Sequence, residues 1–242
     1  MIGVILAAGM AKRLRPLTDE CPKCLLTVGQ RTLLQRTVDA IIAVGITELV
    51  VVTGYRAQMI RVFLTSHYPS LTIHFIDNPD YANNNNIFSL WLTRPYTEGK
   101  EFLLLDSDIL FDPQVIPAVL KMQGSALALN RHELGDEEIK VIVDGNNRVL
   151  EISKVCSIQQ AVGESVGIEK MTAEYSSALF RELEQMIEGE GLIDIFYERA
   201  FERLIPQGHT FTIVDTTAFF SIELDTVEDF ENAKKLIPEE LY

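Results

Sequence analysis

The apolar positions of this chain change period along its length. Unbroken apolar runs occur in "IGVILAA" (2–8), "ELVVVTG" (48–54), "LTIHFID" (71–77), "EFLLLDSD" (101–108) and "SALALN" (125–130). Runs of that length and kind read as strands covered on both faces. Between them the apolar residues recur at helical spacing. In "TLLQRTVDAIIAVG" these are Leu33, Leu34, Val38, Ile41 and Ile42, with Gly45 where a helix C-cap belongs. Further helices are predicted at 56–66, 86–93 and 113–122. Regular alternation of strand and helix over the first 130 positions predicts a parallel sheet with right-handed crossovers.

Beyond residue 130 the rhythm shifts. "IKVIVDGNNRVLEIS" reads as two short alternating strands around "DGNN", a hairpin signal. Helices are predicted at about 172–188 and 194–204, then a strand pair, "FTIVD" and "AFFSIEL". A last helix starts near Thr226 and ends before Pro238. No Pro, Gly or Ser linker interrupts the chain. The expectation is one domain, 1–242, of α/β class, with a mostly parallel sheet (1–130) and a C-terminal α+β elaboration (131–242) packed on it.

Composition narrows the function classes. The chain has 242 residues, a net charge of −14 and a pI near 4.7, which disfavours general nucleic-acid or anionic-membrane binding. No apolar run approaches the length of a membrane-spanning helix, and "MIGVILAAG" reads as a first strand because its cations follow the apolar run instead of preceding it. Three cysteines imply no disulfide framework and a reducing, cytoplasmic setting.

Against this acidic background, Lys12, Arg13, Arg15 and Lys23 crowd into the loop after the first strand. Ligands of open α/β sheets bind at the carboxyl ends of the strands. Ala7, Ala8 and Gly9 lack bulk, so a ligand can approach their backbone, and the loop's N–H groups and cations suit phosphate. The plain alternative is a tight turn with solvated charges. Neither G-x-G-x-x-G nor G-x-x-x-x-G-K-[ST] is present, so the two common nucleotide loops are excluded.

Two carboxylate pairs complete this chemistry. Asp106 and Asp108 end one predicted strand, and Glu223 and Asp225 end another. Carboxylates so placed suit Mg²⁺, which takes one or two of them plus substrate phosphates. The alternative for Asp225 is a helix cap, and Thr226 competes for that job.

Three other motifs compete. "CPKC" (21–24) could be a redox pair or half a zinc site, but it has no second C-x-x-C. "GESVG" (163–167), followed by Asp194 and His209, matches the residue order of a G-x-S-x-G hydrolase, but lacks a strand before it and an oxyanion segment. "IDIFYERAF" (193–201) is either an ordinary amphipathic helix or an aromatic and acidic wall for a cationic group.

"VILAAGMAKRLRPLTDECPKCLL" resembles the signature of the nucleotidyltransferases that activate sugar phosphates and related compounds, roughly L-A-A-G-x-G-x-R-[LM]-x-P-L-T followed by P-K-x-L. The likeness extends through "GITELVVVTGY", Asp108 and "IELDTVEDF". It departs at Ala11, where the family often has glycine. "NPDYANNNNIFSLWL" is similar to the bacterial choline-phosphate and 2-aminoethylphosphonate cytidylyltransferases through Tyr81, Asn85, Asn86, Ser89 and Leu90, and "DIFYE" matches their Asp-aromatic-acid segment. Inositol-phosphate cytidylyltransferases look alike.

The resemblance implies a Rossmann-like three-layer α/β/α fold whose 1–130 part binds nucleotide and whose 131–242 part binds the acceptor. It implies transfer of a nucleotidyl group, CTP favoured, to a small phosphorylated acceptor, without a covalent intermediate or general base. In these terms Arg13 holds the β- and γ-phosphates and Lys23 the α-phosphate and attacking oxygen. Asp108 and Asp225 bind Mg²⁺. Leu6, Ala7, Ala8, Gly9, Asn85 and Ser89 contact the nucleotide, and Asn86, Lys154, Asp194, Tyr197 and Glu198 the acceptor.

Overall fold

The structure is a computed structural model describing residues 1–241. In chain order its elements are β1 (Ile2–Ala7), β2 (Thr27–Val28), β3 (Arg31–Thr32), α1 (Leu33–Ala43), β4 (Glu48–Thr53), α2 (Ala57–His67), β5 (Thr72–Asp77), α3 (Asn86–Leu92), α4 (Arg94–Thr97), β6 (Phe102–Asp106) and β7 (Ile109–Phe111). They continue with α5 (Val115–Leu120), β8 (Ala126–Asn130), β9 (Lys140–Val143), β10 (Val149–Ser153), β11 (Gly163–Met171), α6 (Ala173–Glu184), α7 (Glu198–Leu204), β12 (Thr212–Asp215), β13 (Ser221–Glu223) and α8 (Val227–Leu236). The predicted α/β alternation up to residue 130 is present.

A nine-stranded sheet forms the middle layer. Strands β6, β1, β4 and β5 run parallel side by side. Alternate residues of β1 feed two cores, as the two-residue period of a strand requires. Val4 and Leu6 join Ile87, Leu90, Leu179 and Phe201 from α3, α6 and α7. Ile5 and Ala7 join Leu34, Ile41, Ile60, Leu64 and Val119 from α1, α2 and α5. The result is the mostly parallel α/β/α arrangement. A third, smaller core packs α8 against β2, β7 and their neighbours through Leu14, Val28, Leu110, Leu224 and Phe230.

Two features depart from the sequence reading. β11 is an antiparallel strand inserted between β6 and β8, with its first residues also paired to β9. Its polar residues Glu164, Ser165, Glu169 and Lys170 mask the apolar signal of a buried strand. Second, "FTIVD" and "AFFSIEL" do not pair with each other. β12 adds parallel to β8, while β13 pairs antiparallel with β7. Pairing partners are chosen by tertiary position, which local pattern does not encode.

Candidate active site

A cleft of about 920 Å³ opens at the carboxyl ends of β1 and β6, where an open α/β sheet places its ligand. Leu6, Ala7, Ala8, Gly9, Arg13, Lys23, Asn85, Asn86, Ser89, Asp108, Lys154, Glu198 and Asp225 all line it. The chain thus gathers thirteen of the fifteen residues singled out in the sequence.

The loop after β1 is built for close approach. Tyr55 N donates to Ala8 O at 2.9 Å, tying the loop to the end of β4. Gly54 makes this possible: a Cβ there would lie 2.7 Å from Ala8 O and 2.8 Å from Tyr81 Cβ. Ala11 takes φ +46°, in the left-handed region, which explains why glycine suits the corresponding position of the resembling family. Thr18 Oγ1 donates to its carbonyl at 2.9 Å, and the turn Lys12–Leu14 then buries Leu14 completely. Arg13 stays exposed at the cleft mouth.

Lys23 starts a short 3-10 turn after Pro22 and is only 8% exposed. Its Nζ donates to Asp225 Oδ1 at 2.7 Å and to Asp108 Oδ2 at 3.2 Å. Arg13 pairs with the other oxygen of Asp225. Burial by itself lowers the Lys23 pKa, but Asp108 and Asp225 outweigh it and the net shift is upward. Burial likewise raises Asp225, and the charge and hydrogen bond of Lys23, then Arg13, bring it below its ordinary value.

The β7–β13 ladder, with Ile109 opposite Glu223, and the bond from Leu224 N to Asp108 O at 3.1 Å bring three acids together. Asp108, Glu223 and Asp225 each offer an oxygen within 4.8 Å of the others. Burial, then the charges of Asp108 and Asp225, push Glu223 up to about 8. Carboxylates this close, with Asp108 and Asp225 half-buried and Glu223 exposed to an incoming ion, suit a divalent cation, so the donor set fits Mg²⁺. Glu223 enters as a third candidate ligand. Its sequence signal was the two-residue spacing to Asp225. Asp225 is free for this role because Thr226 caps α8, reciprocally with Asp229.

The asparagine run also holds the wall together. Asn85 Oδ1 accepts from Asn86 N at 2.8 Å and caps α3. Asn86 Oδ1 accepts from Tyr197 N at 2.9 Å. Asn78, buried and absent from the sequence reading, donates to Asn84 Oδ1 at 2.7 Å and Ser89 Oγ at 3.1 Å.

The expected acidic and aromatic wall needs correction. α7 begins at Glu198, not at 194, so residues 194–197 do not share a helical face with it. Asp194 is exposed and is not among the cleft residues. Tyr197 is fully buried, packs on Phe201, and its hydroxyl donates to Asp106 Oδ2 at 2.8 Å. It stands behind the cleft instead of lining it, because its ring completes the core under α7. Phe196 lines the cleft in its place, with Lys154 Nζ 4.7 Å from its ring centre. Lys154 also pairs with Glu137 at 3.3 Å.

Glu198 is 6% exposed and burial pushes it up to about 7, with Lys154 opposing. Burial, then the charges of Asp108, Glu169 and Glu198, hold Asp106 well above the usual carboxylate range. Asp106 and Asp108 do not share one job: Asp106 ends β6, and Asp108 lies in the turn beyond it.

The competing motifs have ordinary explanations. Ser165 lies within β11, its N–H bonded to Ile139 O at 2.9 Å and its hydroxyl donating to Glu169 at 3.2 Å, so no nucleophile elbow exists. Cys24 is buried in the core and its thiol is pushed far up by burial, so a thiolate role is disfavoured. The described cysteines are unbridged.

The nucleotidyl transferase family model matches residues 2–131, over half of the chain. The chain belongs to the nucleotidyl transferase family. This transferase is 33% identical over 129 residues to the CMP-5'-(3-aminopropyl)phosphonate synthase of Streptomyces rubellomurinus, covering 53% of the chain and 20% of that protein. It is 28% identical over 238 residues to the bifunctional IPC transferase and DIPP synthase of Aquifex aeolicus, covering 97% of the chain and 51% of that protein. The chain therefore spans about half or less of the length of these relatives. The solved CTP:phosphocholine cytidylyltransferase of Streptococcus pneumoniae shares the fold of the transferase, with a TM-score of 0.80, 19% identity and coverage of 98% and 99%. Among the described residues, no helix is long and apolar enough to cross a membrane.

Proposed function

We propose that this transferase is a Mg²⁺-dependent cytidylyltransferase that joins CTP to a small phosphate or phosphonate acceptor bearing an amine. The observation that carries this reading is the contact of Lys23 with both Asp108 and Asp225 inside the cleft beside the β1 loop. Relatives named for cytidylyl products and aminoalkylphosphonates support the choice of nucleotide and acceptor.

An oxygen of the acceptor's phosphate or phosphonate attacks the α-phosphorus of CTP. The bond from that phosphorus to the bridging oxygen breaks, and pyrophosphate leaves with the electron pair. The acceptor is already an anion, so no residue has to remove a proton. The protein's work is to bring two anions together and offset the charge that accumulates.

Arg13, exposed at the mouth, receives the β- and γ-phosphates. Lys23 turns from the carboxylates toward the α-phosphate and attacking oxygen. Asp108 and Asp225, with Glu223, would hold Mg²⁺, which supplies charge neutralisation at the phosphates. Leu6 to Gly9, Asn85 and Ser89 border the nucleotide, and Asn86 the acceptor. Lys154 meets the acceptor's phosphate. Glu198 and, replacing Asp194 and Tyr197, Asp106 receive its cationic end.

A sugar- or inositol-phosphate acceptor is the second reading. It is favoured by the amides of Asn84, Asn86 and Asn130 and the hydroxyl of Ser221 along the cleft, which suit hydroxyl recognition. The test is pyrophosphate release with Mg²⁺ and each of CTP, UTP, dTTP and GTP against phosphocholine, 2-aminoethylphosphonate, inositol phosphate and glucose 1-phosphate. Release with CTP and an amine-bearing acceptor supports the first reading. Release only with a sugar phosphate replaces it by the second.

A further inference from the structure

The cleft contains more acid than its metal-binding corner accounts for. Asp106 and Glu198 line it in addition to Asp108, Glu223 and Asp225. Glu198 is 6% exposed, and its Oε2 is shut off from solvent with no hydrogen-bond partner among the described residues. Behind it lies Glu169 of β11, fully buried. Ser165 Oγ donates to its Oε1 at 3.2 Å, while Oε2 has no partner among the described residues. The buried hydroxyl of Tyr175 is unpartnered as well.

Among the described residues Asp106 has one side-chain donor, the Tyr197 hydroxyl, on Oδ2. The cation whose charge reaches Glu198 is Lys154, and its ammonium is engaged by Glu137 and by the face of Phe196. A buried carboxylate oxygen needs an N–H or O–H donor, and among the described residues none meets Glu198 Oε2.

We infer that the cationic end of the acceptor is a primary ammonium, whose N–H groups are received by Glu198 and Asp106, and not a quaternary ammonium. This rests on the amine-acceptor reading above. A primary ammonium brings three donors on a compact charge. A trimethylammonium group brings none and is held by aromatic faces. Among the described residues, the Phe, Tyr and Trp side chains lining the cleft are Tyr81 and Phe196, and Lys154 already stands over Phe196. The described residues thus offer acceptors for hydrogen bonds and form no aromatic cage for methyl groups. Asp106 and Asp108 are two residues apart, at most about 7 Å between Cα atoms. A short aliphatic spacer then joins the ammonium to the phosphorus.

The decisive comparison is kcat/KM at pH 8 with CTP and Mg²⁺ for phosphoethanolamine, phosphocholine and propyl phosphate, with glucose 1-phosphate as the sugar control. Phosphoethanolamine and phosphocholine differ only in three N-methyl groups. The expected result is at least a tenfold preference for phosphoethanolamine over the other two acyclic acceptors. In Glu198→Gln that preference should fall at least tenfold, with KM for CTP changed less than threefold. Equal or better use of phosphocholine overturns this inference and leaves the amine reading standing. Turnover of glucose 1-phosphate with none of the amines overturns both. The acceptor series on the unaltered protein decides the matter even where the variant does not fold.

Discussion

Lys23 Nζ lies 2.7 Å from Asp225 Oδ1 across 202 residues of sequence. The ammonium occupies the ground between Asp225 and Asp108 that a divalent cation would also claim. In the proposed reading the two positive groups would compete for the same carboxylates, and phosphate would offer the displaced lysine its next partner. Lys23→Ala should lower turnover by about 10²–10³-fold, the usual cost of removing one preorganised donor to developing charge. A steady-state assay alongside far-UV circular dichroism checks this. Near-normal turnover in a folded variant would remove Lys23 from the chemistry.

The same competition predicts a metal effect. Mg²⁺ should raise the melting temperature of the unaltered protein by mass action, and raise it further in Lys23→Ala, where the rival cation is gone. Glu223→Gln should weaken the shift, since Asp108, Glu223 and Asp225 are a triad within 4.8 Å. A thermal titration with Mg²⁺ reads all three proteins, and an unchanged midpoint in Glu223→Gln would exclude it as a ligand.

Glu198 gives a pH dependence with a definite sign. Its folded-state pKa is raised to about 7, chiefly by burial. Below pH 4.5 the carboxyl is protonated in both states and costs nothing. As pH rises toward 7 the unfolded chain ionises first, so stability falls, at most about 1.4 kcal/mol per pH unit for one group. Asp106 and Glu169 are shifted the same way. Melting temperatures between pH 5 and 8 should therefore decline, and decline less in Glu198→Gln. An identical slope in the variant contradicts the assignment. Acceptor KM should move oppositely, worsening below pH 7 as Glu198 gains its proton.

Tyr197→Phe deletes the hydroxyl that donates to Asp106 Oδ2 without opening a void. The expected loss is about 1 kcal/mol of stability, with acceptor KM raised several-fold and CTP KM little changed. A KM increase confined to CTP would place Tyr197 with the nucleotide instead.

Gly54→Ala would put a methyl 2.7 Å from Ala8 O, a backbone atom that cannot move aside cheaply. The strain should cost about 1–3 kcal/mol, or roughly 2–4 °C in melting temperature per kcal/mol for a chain of this size, with CTP KM raised because the loop and Tyr81 shift together. A variant that melts like the parent would show the loop to be pliant.

Local pattern determined a great deal of this protein. Unbroken apolar runs and helical spacings marked the strands and helices before residue 130, because burial of a strand on both faces, or of one helix face, leaves that imprint on consecutive residues. The β1 loop, with its small residues and its cations, and the acids at the ends of β6 and β13 were legible for a similar reason: each is unusual where it stands. Only the tertiary structure decided what these groups meet. β11 was hidden because Ser165 and Glu169 turn inward to a buried acidic cluster, so its alternation fails as an apolar signal. β12 and β13 found separate partners, and that pairing is what carries Glu223 and Asp225 to Asp108. Tyr197 and Glu198 are adjacent in sequence, yet one supports Asp106 from the core and the other faces the cleft. Sequence period says that a side chain is buried. Which cavity or carboxylate it is buried against depends on chain segments far away.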